Sequence, residues 1–432
     1  MVLKMKKITV ILVIACLLLY LSACGEKEAE NDSFKSNVHD DLVEGIKPFY
    51  DNGAFASYGD GLLYGQDGLL KVYDFSTKER YVLCGNTNCK HFGNDCAAWF
   101  GDNSMGVFGA ALYNGKVYYF QKDDKDIKLH SQDVTGEQQK VLYKMDLTDV
   151  KVGSYTFVDI VRAIYHNGYV WVEAIYDAIK DKSGNDSVET KVIQGINLET
   201  GDRIELSTLP KVVDEDASEY SEIEYIGDGV VIVGNITPLG NNVSREAYIL
   251  YDIESKSTKE IYKSELISIL DEDGNYNGEL PELQFFGKYK DKYVCTKYYD
   301  ENVNGNDGKF DIYLFDTDKK TFELVTDGID GFPFFENRYS MKSLIDGSKL
   351  IYEVSKDDKS EIYYYDLEKN ESKLAFTDEK NLKYRLVEET EDKLIFKIYT
   401  NVETDSSFNI YTISKEDYLK GKFENKEEFS IK

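Results

Sequence analysis

The chain has 432 residues, an apolar fraction of 42% and a formal charge of −28. That much apolar material excludes a wholly disordered chain, and the acidity excludes the basic face that nucleic-acid binding needs. The charge also disfavours adhesion to anionic lipid and fits the solvated surface of an exported protein.

Residues 1–23 read as a targeting segment. Lys4, Lys6 and Lys7 form a basic end, Ile8 to Leu19 an apolar run, and Leu21-Ser-Ala-Cys24 a small-residue close before a cysteine. The run is short for a spanning helix. Leu-Ser-Ala-Cys resembles the lipobox of bacterial lipoproteins. The resemblance implies cleavage before Cys24 and thioether lipidation of its thiol, with acyl chains of the palmitate type holding the protein to the cell membrane, outside the cytoplasm. Each buried CH₂ of such a chain contributes about 0.8 kcal/mol. Loss of the leader takes away Lys4, Lys6 and Lys7 and no acid, which moves the formal charge from −28 to about −31. Residues 24–49 are polar, charged and without periodicity, as expected of a flexible tether.

Residues 50–432 carry a repeat. Tyrosine is frequent at 34 residues and proline rare at 5, a composition suited to pleated, half-buried strands. Seven units of about 50 residues align. Each opens on an alternating strand: Gly61–Tyr64, Gly115–Phe120, Gly168–Val172, Gly229–Val233, Lys292–Thr296, Lys349–Tyr352 and Lys393–Phe396. Turns such as Asn114-Gly115 and Asp228-Gly229 precede these strands, as tight hairpins require. A second strand follows in each: Lys71–Phe75, Leu142–Leu147, Val192–Leu198, Tyr248–Ile253, Ile312–Thr317, Ile362–Leu367 and Asn409–Ile413. In six of these seven, Asp or Asn stands just before the last residue, where its side chain can bond the backbone of the following turn.

One such unit cannot bury its own apolar face, whereas a ring of units can. The expected fold is all-β, a propeller of seven four-stranded blades, or six or eight if a unit is degenerate. The pattern resembles the low-density-lipoprotein-receptor-like and TolB-like propellers, especially the exported lipoproteins of Gram-positive anaerobes, over residues 50–432. The Trp-Asp dipeptide of WD40 blades is absent.

Two constellations carry metal-binding chemistry. Cys84-Gly-Asn-Thr-Asn-Cys89-Lys-His91-Phe-Gly-Asn-Asp-Cys96 offers three thiols and an imidazole, enough for a tetrahedral Cys₃His zinc site. A disulfide-stapled loop or a reactive thiol are the alternatives, with Cys295 as a distant fourth thiol. Similar Cys…Cys-x-His…Cys segments occur in exported propeller lipoproteins, which implies a family feature without assigning a role. Asp300, Asn302, Asn304, Gly305 and Asp311 match positions 1, 3, 5, 6 and 12 of a calcium loop, with Asp in place of the final Glu. The competing reading is a polar hairpin loop.

Catalytic signatures are scarce: there is no G-x-S-x-G, H-E-x-x-H or Walker A sequence. His130 in a charged segment and His166 beside a hairpin turn read as surface histidines. The leading functional expectation is a membrane-anchored, extracytoplasmic binding module for an envelope protein or a carbohydrate. The alternatives are a hydrolase or lyase with acids around the central channel, and a metal-binding or redox-sensing lipoprotein built on the cysteine cluster.

Overall fold

The structure is a computed structural model and describes residues 42–44, 55–58, 61–93, 95–99, 107–122, 126–146, 154–179, 187–206, 220–240, 243–264, 267–268, 283–299, 308–333, 344–356, 359–378, 384–390, 392–399 and 408–429. Seven antiparallel sheets of four or five strands follow one another along the chain. They form blades 1 to 7, spanning residues 55–82, 107–146, 154–205, 220–268, 283–330, 332–378 and 384–429. The protein is a seven-bladed β-propeller. Among the described residues no helix is long and apolar enough to cross a membrane.

The first strand of each blade faces the axis and the fourth lies at the rim. The expected opening strand of each unit is the second strand of its blade. The axial strand before it was not legible because it breaks its own alternation. Register shifts interrupt the first strands of blades 2, 3, 4, 5 and 7, at Phe108/Ala111, Ile160/Arg162, Ile223/Tyr225, Phe285/Gly287 and Leu386/Glu388. A bulge of this kind moves the following side chains to the opposite face and bends the strand. In blade 6 the first strand is broken into Phe332–Pro333 and Leu344–Ile345.

Turn chemistry follows the sequence closely. Asn114-Gly115, Asn167-Gly168 and Asp228-Gly229 all take positive φ at both residues, the backbone of a two-residue hairpin. After the third strands, Oδ1 of Asp74 accepts from the backbone N–H groups of Ser76 and Thr77 at 2.7 and 2.9 Å. Asn197, Asp316 and Asp366 each take two backbone N–H groups in the same way, and Asp252 takes that of Ser255. These bonds hold Asp316 at a pKa of about 2.

Blade 2 departs from the expectation. Its third strand is Asp126–Asp133, and the expected strand from Leu142 falls in the fourth, Lys140–Asp146. The third strand was hidden because Lys128, His130 and Gln132 give it a polar look. The two histidines are not on the surface. His130 is buried and stacks on Tyr119, ring centroids 5.0 Å apart, and burial lowers its pKa. His166 is fully buried, and its Nε2 accepts from the Gly229 N–H at 3.2 Å.

Each blade packs both faces on neighbours. Blade 7 meets blade 1 through Ile395 and Ile410 against Leu62 and Tyr64, all buried. Among the described residues no strand passes between the ends of the chain to latch this seam. An exposed ion pair, Lys78–Glu427, and Lys393 over the Phe75 ring add to it, and exposed pairs contribute little. The seam therefore rests on apolar burial. Ile395→Ala should lower unfolding free energy by about 2–5 kcal/mol. Leu324→Ala, at a half-exposed position, should change it by about 0.5 kcal/mol or less. Urea titration followed by tyrosine fluorescence compares the two.

Candidate metal centre

Blade 1 ends on a three-residue fourth strand, Arg80–Val82. The chain then leaves regular structure but stays on the sheet. The Leu83 N–H donates to the Leu70 carbonyl at 3.0 Å, and farther on the Leu70 N–H donates to the Ala98 carbonyl at 2.9 Å. Trp99 bridges to Leu69. Residues 83–99 thus loop out from the outer edge of blade 1 and return to it.

Blade 2 grips the same loop from the other side. Gln132 Nε2 donates to the Ala97 carbonyl at 3.2 Å. Gly136 lies so close that a Cβ there would sit 1.8 Å from Ala97 Cβ, and its φ of +85° is one glycine takes without strain. The loop is therefore a wedge in the seam between blades 1 and 2. Inside it, Asn86 Oδ1 accepts the Asn88 N–H, the Cys89 N–H donates to the Asn86 carbonyl, and the Cys96 N–H donates to the Gly93 carbonyl, each at 3.0 Å.

These turns bring Cys84, Cys89, His91 and Cys96 to one point. Their candidate ligand atoms all lie within 4.8 Å of one another. Cys96 Sγ is 3.7 Å from His91 Nδ1. In a zinc tetrahedron with Zn–S of about 2.3 Å and Zn–N of about 2.0 Å, sulfur and nitrogen stand about 3.5 Å apart. His91 takes φ +53°, and its backbone N–H donates to Cys89 Sγ at 3.3 Å. That bond lowers the Cys89 pKa, because it favours the thiolate that metals bind. Cys96 is buried, and burial pushes its thiol up to about 12; a cation among the three sulfurs would offset that desolvation. All three cysteines are free thiols, partly or wholly buried against the blade 1–2 core. The donor set fits a soft or borderline divalent metal.

The other candidates fare differently. Cys295 lies in the second strand of blade 5, within the core of blades 4 and 5, and is not part of the cluster. Cys24, Asp300, Asn302 and Asn304 lie outside the described residues. Asp311 is buried in the third strand of blade 5, where Oδ1 accepts the Gly328 N–H and Oδ2 the Tyr313 hydroxyl, both at 2.9 Å. The sequence did not reveal the grip of Gln132 and Gly136 on the loop. The one available signal was a glycine in the third-to-fourth-strand turn of the next blade.

Fold and site together define a seven-bladed propeller with a metal-capable Cys₃His cluster between its first two blades. No family model and no curated protein matches the chain. Among solved structures, an oligogalacturonate lyase in complex with manganese is 12% identical, with TM-score 0.44 over 88% of this chain and 92% of the other. The tricorn protease is 11% identical, with TM-score 0.44 over 90% of this chain and 35% of that one. An uncharacterized protein from Listeria monocytogenes EGD-e is 11% identical, with TM-score 0.41 over 74% and 80%. Likenesses this distant say nothing of activity.

The thiol environments predict an order of reactivity. In metal-free, reduced protein at pH 8, iodoacetamide should modify Cys89 well before Cys96. The first has its pKa lowered and is half-exposed; the second is buried and held protonated. Peptide mapping over a time course reads the order, and faster labelling of Cys96 would contradict it.

Proposed function

We propose that this protein is a lipid-anchored, extracytoplasmic binding module. Cys24 carries the lipid, and the propeller takes a protein or carbohydrate ligand of the cell envelope. Zinc held by Cys84, Cys89, His91 and Cys96 fixes the junction of the first two blades. The observation that carries the zinc assignment is the convergence of three unpaired thiols and one imidazole nitrogen within 4.8 Å of one another.

The binding reading draws on how connections are distributed. In consecutive antiparallel strands, the first-to-second and third-to-fourth links share one end of the ring, here called the turn end. The second-to-third and blade-to-blade links share the other, the loop end. Turn-end links are mostly tight, such as residues 114–115, 228–229 and 317–320, whereas strands meeting at the loop end are separated by longer stretches of sequence, such as residues 180–186, 207–219 and 269–282. Long loops on a rigid scaffold are where ligand recognition concentrates. A central-channel hydrolase or lyase needs open space at the axis. The strand Val43–Glu44 pairs there with the first strand of blade 3, which favours the binding reading.

Metal and thiols measured together test the centre. Protein from residue 25 onward, purified without chelator, should hold about one equivalent of zinc, with the cluster thiols reacting only after chelation. Absence of metal with two thiols missing would establish a disulfide instead. In whole cells, Cys24→Ser should move the protein from the membrane fraction to the medium. A blank result from both a glycan array and an envelope-extract pull-down would remove the binding assignment.

A further inference from the structure

The three thiols of the metal centre are not equivalent. Cys84 and Cys89 are half-buried, whereas Cys96 is 3% exposed and packs into the core shared by blades 1 and 2. The sulfurs of all three lie within 4.8 Å of one another. Residues 85–88, which join the two more open cysteines, are exposed throughout. They fold back on Asn86, whose side chain accepts the Asn88 N–H and whose carbonyl accepts the Cys89 N–H, both at 3.0 Å. A small solute arriving from water therefore meets Cys84 and Cys89 before Cys96. The segment between those two carries no buried side chain that resists a shift.

The two limbs of the loop are held unequally. On the Cys84 side Leu83 is buried, and its N–H donates to the Leu70 carbonyl in the third strand of blade 1. On the other side Lys90, Phe92 and Asp95 are exposed, Phe92 to 72%. Phe92 meets Trp99 at a ring-centroid distance of 5.0 Å. Backbone bonds resume at Cys96, whose N–H donates to the Gly93 carbonyl and whose carbonyl accepts the Trp99 N–H. His91 ties the exposed stretch to the cluster, through its ring and through its N–H on Cys89 Sγ.

We propose that Cys84 and Cys89 are an oxidation site: a peroxide joins them in a disulfide, the metal centre opens, and residues 90–99 loosen at the junction of blades 1 and 2. The opening rests on the zinc assignment made under the proposed function; the disulfide does not. Pairing with Cys96 instead asks a buried sulfur to leave its core packing, whereas Cys84 and Cys89 close a gap of less than 4.8 Å over an exposed turn.

The chemistry balances on the two sulfurs. One thiolate attacks a peroxide oxygen, the O–O bond breaks, and the sulfur becomes a sulfenic acid as hydroxide leaves. The second thiolate attacks that sulfur, the S–S bond forms, and a second hydroxide leaves. Two electrons pass from sulfur to peroxide, and two protons from solvent turn the hydroxides into water. The Cys96 sulfur takes a further proton. Cys96 and His91 are then the donors left, where a structural zinc site uses four. Metal ligation needs thiolates, which a disulfide no longer supplies. A dithiol reductant reverses the step by exchange, ending as a disulfide itself.

The full chain in detergent, loaded with zinc and titrated with hydrogen peroxide, tests each part. Release should approach about one zinc per chain. Peptides linked through Cys84 and Cys89 should appear in step with it, and iodoacetamide should still find Cys96 as a thiol. Hydrogen exchange should quicken at the Cys96 and Trp99 amides and stay slow at Leu83. Dithiothreitol should restore zinc binding. Zinc retained in excess peroxide, a disulfide that includes Cys96, or thiols lost without any linkage would overturn the proposal. Release with unchanged exchange at Cys96 and Trp99 would overturn the loosening of the junction. A chain that takes up no zinc before oxidation would remove the zinc assignment instead, and the peptides would still show whether Cys84 and Cys89 pair.

Discussion

The fold depends on mutual burial between blades. A four-stranded blade here is apolar on both faces, as Val170, Trp171 and Val172 show by being buried in successive positions of one strand. Such a sheet is stable only with a neighbour on each side, and the ring supplies one to every blade without leaving an end. The cooperative unit is therefore the ring. Its most exposed point is the junction of the seventh blade with the first, because covalent continuity links all other adjacent blades. At that place Leu62, Tyr64, Ile395 and Ile410 act without a shared strand. Other junctions add specific polar ties, such as Arg162 of blade 3 donating to the Ile223 carbonyl of blade 4 at 2.7 Å while lying 3.7 Å from Glu173.

What the sequence revealed follows the same logic. Local signals were legible wherever one residue determines a turn. Asp74, Asn197, Asp252, Asp316 and Asp366 marked the ends of third strands because their carbonyl or carboxylate oxygens bond the turn that follows. Asn-Gly and Asp-Gly marked the hairpins for equally local reasons. Axial strands were opaque: a bulge at Ile160/Arg162 or Phe285/Gly287 is imposed by packing around the axis, and it scrambles a period-2 pattern. His130 and His166 misled for a related reason. A polar residue beside a turn or among charges reads as surface, but Tyr119 stacks on His130 within its own blade, and Gly229 of the next blade supplies the hydrogen bond to His166.

The metal centre was legible as a donor set and illegible as a place. Spacing alone gathers three thiols and an imidazole within thirteen residues. Only the fold shows that the loop does the work of missing sheet. Blade 1 has a fourth strand of three residues, whereas that of blade 5, Thr321–Asp330, has ten. Residues 83–99 fill the deficit with two backbone bonds to Leu70 and the Trp99 bridge. A segment with so little regular structure buries few side chains of its own, Leu83, Cys96 and Ala98 among them. Short, core-poor segments hold one conformation when a metal or a disulfide ties them.

The first two blades and the axis are linked through the same packing. Cys96 and Ala98 belong to one apolar cluster with Ala56 of blade 1, Ala110 and Phe120 of blade 2, and Tyr165 of blade 3. Tyr165 is also the residue opposite Val43 in the channel, and its hydroxyl donates to the Gly109 carbonyl of blade 2 at 2.7 Å. Gly109 has no room for a side chain, since a Cβ there would fall 2.9 Å from both Ala163 and Phe120. The cysteine-bearing loop and the short strand Val43–Glu44 thus bear on a single block of blades 1 to 3. Ordering either one presses on the packing that positions the other.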